Sequence, residues 1–121
     1  MDAWAGVTLG ICARSFPRQG SLRSLYTDLE AARRLAADLE IKHSYASIEH
    51  LVEREDIDAV VIASPSKFHL SGVQTAAAAG KHILCEKPLA LTIDGVDDAI
   101  AAARSANVLL QVAFMGRYDP A

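Results

Sequence analysis

The chain has 121 residues, enough for one domain with a real hydrophobic core, of which 51% are apolar and 22% charged. That balance excludes a disordered chain, and a net charge of −3 without a basic block excludes nucleic acid or an anionic membrane surface as the partner. No apolar stretch approaches the ~20 residues of a membrane span, and the N-terminus lacks the charged-then-apolar pattern of a secretory signal.

In chain order, "GVTLGIC" (Gly6–Cys12) reads as a first strand and "SLRSLY" (Ser21–Tyr26) as a second. "DLEAARRLAADLE" (Asp28–Glu40) predicts a helix, because Leu29, Ala32, Leu35, Ala36 and Leu39 recur at helical spacing behind an Asp28 cap. "KHSYAS" then enters a short helix from Ser47, with Glu49 and Glu53 on its polar side. Ala59 to Ala63 is an unbroken β-branched and small apolar run, the pattern of a strand covered on both faces in a parallel sheet. A helix over Lys67–Ala79 follows, with Gly80 as the residue just past its end. Then come the strand "HILCE" (His82–Glu86), the helix Thr92–Ala106 and a last strand Val108–Phe114. This alternation predicts an open α/β sheet with right-handed crossovers.

Ligands of such sheets bind beyond the C-terminal strand ends. That rule selects Ser64-Pro65-Ser66, Glu86-Lys87-Pro88 and Met115-Gly116-Arg117, which should share one rim. Two hydroxyls, a rigid turn and His69 near a helix start can hold a phosphate, a ribose or a nicotinamide amide. Equally, Ser66 can simply cap the helix, with His69 on its exposed first turn. Glu86 and Lys87 can form a solvated loop ion pair. Alternatively, a lysine partly desolvated before Pro88 can have a lowered pKa and shuttle a proton or bind an alkoxide. Cys12 and Cys85 lie far apart without CxxC spacing, which predicts buried reduced thiols and a cytoplasmic address. His43, His50, His69 and His82 are not at ligand spacing with cysteines or carboxylates, so no metal site is expected.

The blocks "EDIDAVVIASPSKFH", "AAAAGKHILCEKPLALT" and "LLQVAFMGRYDPA" together resemble the nucleotide-binding half of the glucose–fructose oxidoreductase / inositol dehydrogenase family. The last block is most similar to the inositol 2-dehydrogenase branch. The resemblance runs from about Leu25 to Ala121 and implies a Rossmann-type, mostly parallel sheet with helices on both faces. It implies NAD or NADP as cofactor, a polyol or sugar as substrate, and a second domain that binds that substrate. By position, Lys87 corresponds to the lysine that contacts the reacting hydroxyl and the nicotinamide ribose, and Glu86 to the acid beside the cofactor. Ser64, Pro65, Ser66 and His69 correspond to the loop along the dinucleotide, and Arg117 to the segment leading into the substrate domain.

The chain departs from that pattern in its first βα unit. A Rossmann phosphate loop needs G-x-G-x-x-G, because only glycine lets the backbone approach the pyrophosphate. Here only Gly10 stands in the plausible zone. Ala13 to Gly20 is short for a first helix and is interrupted by Pro17, so the unit reads as degenerate. Tyr26 stands where the family has the acid that grips the ribose, and Asp28 reads as a helix cap. The chain stops at "RYDPA", before the family's catalytic Asp and His, and Gly116 replaces an arginine. Residues 1–121 are therefore expected to be an incomplete dinucleotide-binding domain that does not turn over by itself. A non-catalytic nucleotide-binding or protein-interaction remnant is the alternative. Strand Val108–Phe114 should expose an apolar patch, which predicts self-association.

Overall fold

Strand and helix alternate through the residues that the computed structural model describes: 24–25, 29–38, 40–41 and 43–119. The order is β1 (Ser24–Leu25), α1 (Leu29–Asp38), β2 (Ser44–Tyr45), α2 (Ile48–Val52), β3 (Ala59–Ile62), α3 (His69–Ala78), β4 (His82–Cys85), α4 (Ile93–Ser105) and β5 (Leu110–Val112). Short 3-10 turns cover Ser66–Phe68 and Met115–Arg117. The expected strand Gly6–Cys12 and the acid position at Tyr26 lie outside the described residues.

Both sheets are parallel, one of two strands (β1-β2) and one of three (β3-β4-β5). β2 is an addition to the sequence-based expectation, which took this stretch directly into a helix. It pairs Ser44 with Ser24 and Tyr45 with Leu25, and two residues are too few to carry an alternating pattern.

Three helices close in one way. Glu40, Gly80 and Asn107 each adopt a positive φ, of 53°, 72° and 54°. At each, the left-handed residue donates its N–H two residues back past the cap, and its successor reaches one residue further. Gly80 and Lys81 bond the carbonyls of Ala77 and Ala76, at 2.9 and 3.0 Å. Asn107 and Val108 bond those of Arg104 and Ala103, and Glu40 and Ile41 those of Ala37 and Ala36. Each pair satisfies carbonyls that a helix end leaves open and turns the chain back toward the next strand. Gly80 was legible as such a residue. Asn107 and Glu40 were not, because neither announces a left-handed backbone as glycine does. At the other ends, Ser47 Oγ accepts from the His50 N–H and Thr92 Oγ1 accepts from the Gly95 N–H.

The core lies on one face of the three-stranded sheet. Val60, Ile62, Ile83 and Cys85 are buried there with Val73, Ala76 and Ala77 of α3 and Ala99 of α4. The opposite face, through Val61, Leu84 and Gln111, ranges from half-buried to exposed. α3 and α4 pack against each other, with the small Ala76 and Ala77 of α3 and Ala99 and Ala103 of α4 all buried. Among the described glycines, Gly95 makes the tightest contact, chiefly with the loop that leads into α4. A Cβ there would stand 3.0 Å from the Ala90 Cβ, 3.2 Å from Thr92 Oγ1 and 3.5 Å from Leu70 Cδ2. The Ala90 Cβ is fixed to backbone and cannot rotate away. The loop before β3 is held by a two-point contact of the Arg54 guanidinium with Asp56, at 2.7 and 3.2 Å. Lys81 Nζ donates to the Arg54 carbonyl at 2.9 Å and ties this loop to the start of β4.

Cys85 is a free, buried thiol at the end of β4. Burial pushes its pKa up from 9.0 to about 11, and the neighbouring Glu86 charge adds to the shift.

Urea denaturation should separate the glycine roles. Gly95→Val is expected to lower the unfolding free energy by about 2–3 kcal/mol through overpacking. Gly80→Ala should lower it by about 1 kcal/mol, for conformation alone. Equal losses at the two positions would contradict this assignment. Because the folded thiol ionises at a higher pH than the unfolded one, its contribution is intact below pH 9.0 and drains away toward pH 11. The stability gap between the wild type and Cys85→Ala should therefore narrow over that interval, and a constant gap would refute it.

Candidate functional site

The register of the sheet builds the site. Ile62 of β3 pairs with Cys85 of β4, and Cys85 with Val112 of β5. The pairing then extends one step beyond the strands, with the Glu86 N–H donating to the Ile62 carbonyl at 2.8 Å and the Ala113 N–H to the Cys85 carbonyl at 2.9 Å. Ala63-Ser64 and Glu86-Lys87 thus leave the sheet side by side, as the strand-end argument requires. Arg117 follows β5 at the same edge in an exposed 3-10 turn, and among the described residues no hydrogen bond joins it to the Glu86-Lys87 loop. Gln111 Nε2 donates to the Tyr118 hydroxyl and folds this last turn back on β5.

Ser64 is buried, Pro65 exposed and Ser66 half-buried. The capping role open to Ser66 is not what the fold uses. Neither the 3-10 turn nor α3 has a side-chain cap, since the Phe68 N–H bonds the Pro65 carbonyl at 2.9 Å and the turn runs straight into the helix. The Ser66 hydroxyl is left at the rim.

His69 departs furthest from the sequence-based alternatives. It is not on an exposed first turn but only 1% exposed, the one strongly polar ring inside the described core. Its Nε2 stands 2.7 Å from the Ser64 carbonyl oxygen and its Nδ1 2.6 Å from the Pro88 carbonyl oxygen, both hydrogen-bond distances. The signal for this was present but unread: position 69 falls on the α3 face that also carries Val73, Ala76 and Ala77.

Glu86 and Lys87 do not form an ion pair. The Glu86 carboxylate instead accepts the Lys87 backbone N–H at 3.2 Å. The Lys87 side chain is exposed rather than partly desolvated, and among the described residues its ammonium has no ion-pair partner. The Lys87-Pro88 peptide bond is cis. Leu89 and Ala90 return to the core at once, so Lys87 is a short excursion between buried anchors.

Beside Lys87 opens a cleft of about 660 Å³, walled by Leu89, Val96, Ile100, Val112 and Phe114 and almost wholly apolar. A free ammonium at the lip of an apolar cleft, with the Ser66 hydroxyl on the same rim, suits a ligand that joins a flat apolar ring to a hydroxylated sugar. A nicotinamide riboside has that chemistry, so these residues fit the nicotinamide end of a dinucleotide. Gly10, the sequence candidate for the phosphate end, lies outside the described residues. Among those residues no group of three or more His, Cys, Asp or Glu could hold a metal ion, and no helix is long and apolar enough to cross a membrane.

Comparison with known proteins identifies the family of the fold. A family profile described as an oxidoreductase family with an NAD-binding Rossmann fold matches residues 13–114. The chain is 40% identical over 93 residues to a trans-1,2-dihydrobenzene-1,2-diol dehydrogenase of Xenopus tropicalis, covering 77% of this chain and 28% of that protein. An NAD-binding oxidoreductase of Klebsiella pneumoniae superposes with a TM-score of 0.81 at 36% identity, covering 88% of this chain and 29% of the other. A myo-inositol 2-dehydrogenase of Lactobacillus plantarum superposes at 0.72 with 31% identity, covering 80% and 29%. The chain spans less than a third of the length of the curated relatives it matches. Parallel strands and a match over most of its length make the chain a member of the glucose–fructose oxidoreductase / inositol dehydrogenase family, through that family's NAD-binding Rossmann domain.

Proposed function

We propose that this chain is the cofactor-binding part of an NAD(P)-dependent oxidoreductase that acts on a hydroxyl-bearing carbon of a polyol or sugar. The observation that carries the reading is the exposed Lys87 ammonium, unpaired among the described residues, at the lip of an apolar cleft on the rim where β3 and β4 end together. Bound there, the nicotinamide supplies the hydride acceptor or donor. Lys87 would hold the ribose and the reacting hydroxyl by charge-assisted hydrogen bonds, which are stronger than neutral ones. Ser66 would offer a hydroxyl to the same ligand, and Glu86 keeps the Lys87 backbone in place through its carboxylate. Leu89, Val112 and Phe114 would shield the apolar ring from water.

Hydride transfer from an alcohol also needs a proton acceptor. Among the described residues no titratable side chain bonds the Lys87 ammonium, since the Glu86 carboxylate takes the Lys87 backbone N–H instead. We therefore propose that residues 1–121 alone bind the cofactor without turning over. The lack of a G-x-G-x-x-G spacing around Gly10 supports a second reading, a non-catalytic nucleotide-binding or protein-interaction remnant of the same family. A cytoplasmic location is part of either reading, supported by the free, buried thiol of Cys85.

Calorimetric titration of the 121-residue chain with NAD⁺ and NADP⁺ tests the first reading. One of them should bind more tightly than about 1 mM, and Lys87→Ala should weaken it about tenfold through the lost charged hydrogen bond. Absence of binding would favour the remnant, and turnover of inositol or a sugar by the isolated chain would refute the need for further groups.

Leu91, Ile93, Leu109, Phe114, Met115 and Tyr118 are all exposed around the cleft and the β5 edge. An apolar surface of this kind drives association. Sedimentation of the 121-residue chain at tens of micromolar should show dimers or larger species, and Phe114→Glu should shift them toward monomer. A clean wild-type monomer would count against it.

A further inference from the structure

We propose that His69 is a positioning residue for Lys87: its imidazole is a two-ended tether that locks the exit of β3 to the turn carrying the lysine. The proposal deepens the reading of Lys87 as the cofactor-rim lysine and rests on it for its functional meaning.

Both partners of the ring are backbone carbonyl oxygens, of Ser64 at 2.7 Å and of Pro88 at 2.6 Å. A carbonyl oxygen only accepts. A neutral imidazole has one N–H and one lone pair, so one of these contacts would set two lone pairs against each other. Both distances suit N–H···O bonds, which assigns the ring its two-donor form. The ring is almost completely buried, so water cannot replace either bond.

The geometry of the tether explains what it holds. Ser64 lies 5 residues before His69 in sequence and Pro88 lies 19 after it. One side chain on the first turn of α3 therefore spans two loops that leave neighbouring strands. The Lys87 backbone is bracketed on one side by the Glu86 N–H on the Ile62 carbonyl, and on the other by His69 on Pro88. Beyond Pro88, Leu89 and Ala90 are buried, the latter against Gly95. Of these restraints, only the His69 bond also reaches the Ser64 loop. His69 thus fixes the spacing between the hydroxyl-bearing side of the rim and the lysine side. With both nitrogens engaged, the ring acts through Lys87 and not on a ligand directly.

The test uses the 121-residue chain. A long-range ¹H–¹⁵N spectrum of the wild type should show two protonated nitrogens on the His69 ring, and a single protonated nitrogen would overturn the two-donor assignment. Backbone ¹⁵N relaxation then compares the wild type with His69→Gln, which keeps an amide donor at one point, and His69→Leu, which keeps none. Mobility should rise selectively at residues 64–66 and 86–88, more in Leu than in Gln, while Val60 and Ile83 stay rigid. Unchanged amides at Lys87 in the Leu variant, or loosening spread evenly through the core, would overturn the tether. Cofactor affinity closes the argument. His69→Leu should weaken NAD⁺ or NADP⁺ binding at least fivefold alone and by less than twofold in a Lys87→Ala background. Equal losses in both backgrounds would show that His69 does not act through the lysine. If the wild type binds neither cofactor while the relaxation pattern holds, the proposed function fails and the tether stands.

Discussion

The extension of β3–β4 pairing past the last strand residues is the constraint on which the rim depends. Parallel strands in register deliver their successors to the same edge, and the bond from the Glu86 N–H to the Ile62 carbonyl carries that register one residue into the loops. A slip of one residue would turn every side chain to the opposite face. Cys85 would leave the core, and Glu86 and Lys87 would exchange orientations. The hydrophobic alternation of β4, with Ile83 and Cys85 buried and His82 and Leu84 exposed, resists that slip, so packing chemistry and site geometry share one set of residues.

Small residues play the second part. Ala76, Ala77, Ala99 and Ala103 are buried and add little volume, so α3 and α4 lie close to each other over the sheet. Their closeness brings His69, on the first turn of α3, within reach of Pro88, which lies just before α4. The stretch that looked like low complexity in "QTAAAAGK" is thus a packed helix face, with Ala76 and Ala77 fully buried.

Much of this was legible from residues alone. The β-branched run at 59–63, the glycine after the alanine-rich helix and the apolar-then-charged block at 82–88 become β3, a helix closure and β4 with its turn, although β3, expected to be covered on both faces, alternates buried with half-buried residues. What was not legible depends on partners distant in sequence. The pairing of Ser44-Tyr45 with Ser24-Leu25 needs a strand some twenty residues away, and the burial of His69 needs a carbonyl 19 residues on. Local propensity has no term for either. The ion pair open to Glu86 and Lys87 failed for a related reason. Adjacent residues on an extended backbone point apart, and the carboxylate found the nearer amide.

The three left-handed helix closures divide the connections of this fold into two kinds. Those at Glu40, Gly80 and Asn107 are reversals with no slack, and the residue after each is already bonded back to the helix it left. The connections at the opposite edge, from Ala63 to Phe68 and from Glu86 to Thr92, are longer and held by side chains. Length changes are therefore tolerated unevenly. An inserted residue at a closure would misalign a whole strand, whereas one at the rim would reshape only the surface that meets a ligand. A lineage built on this scaffold can revise what it recognises without touching how it folds, because the two tasks are written into opposite ends of the same strands.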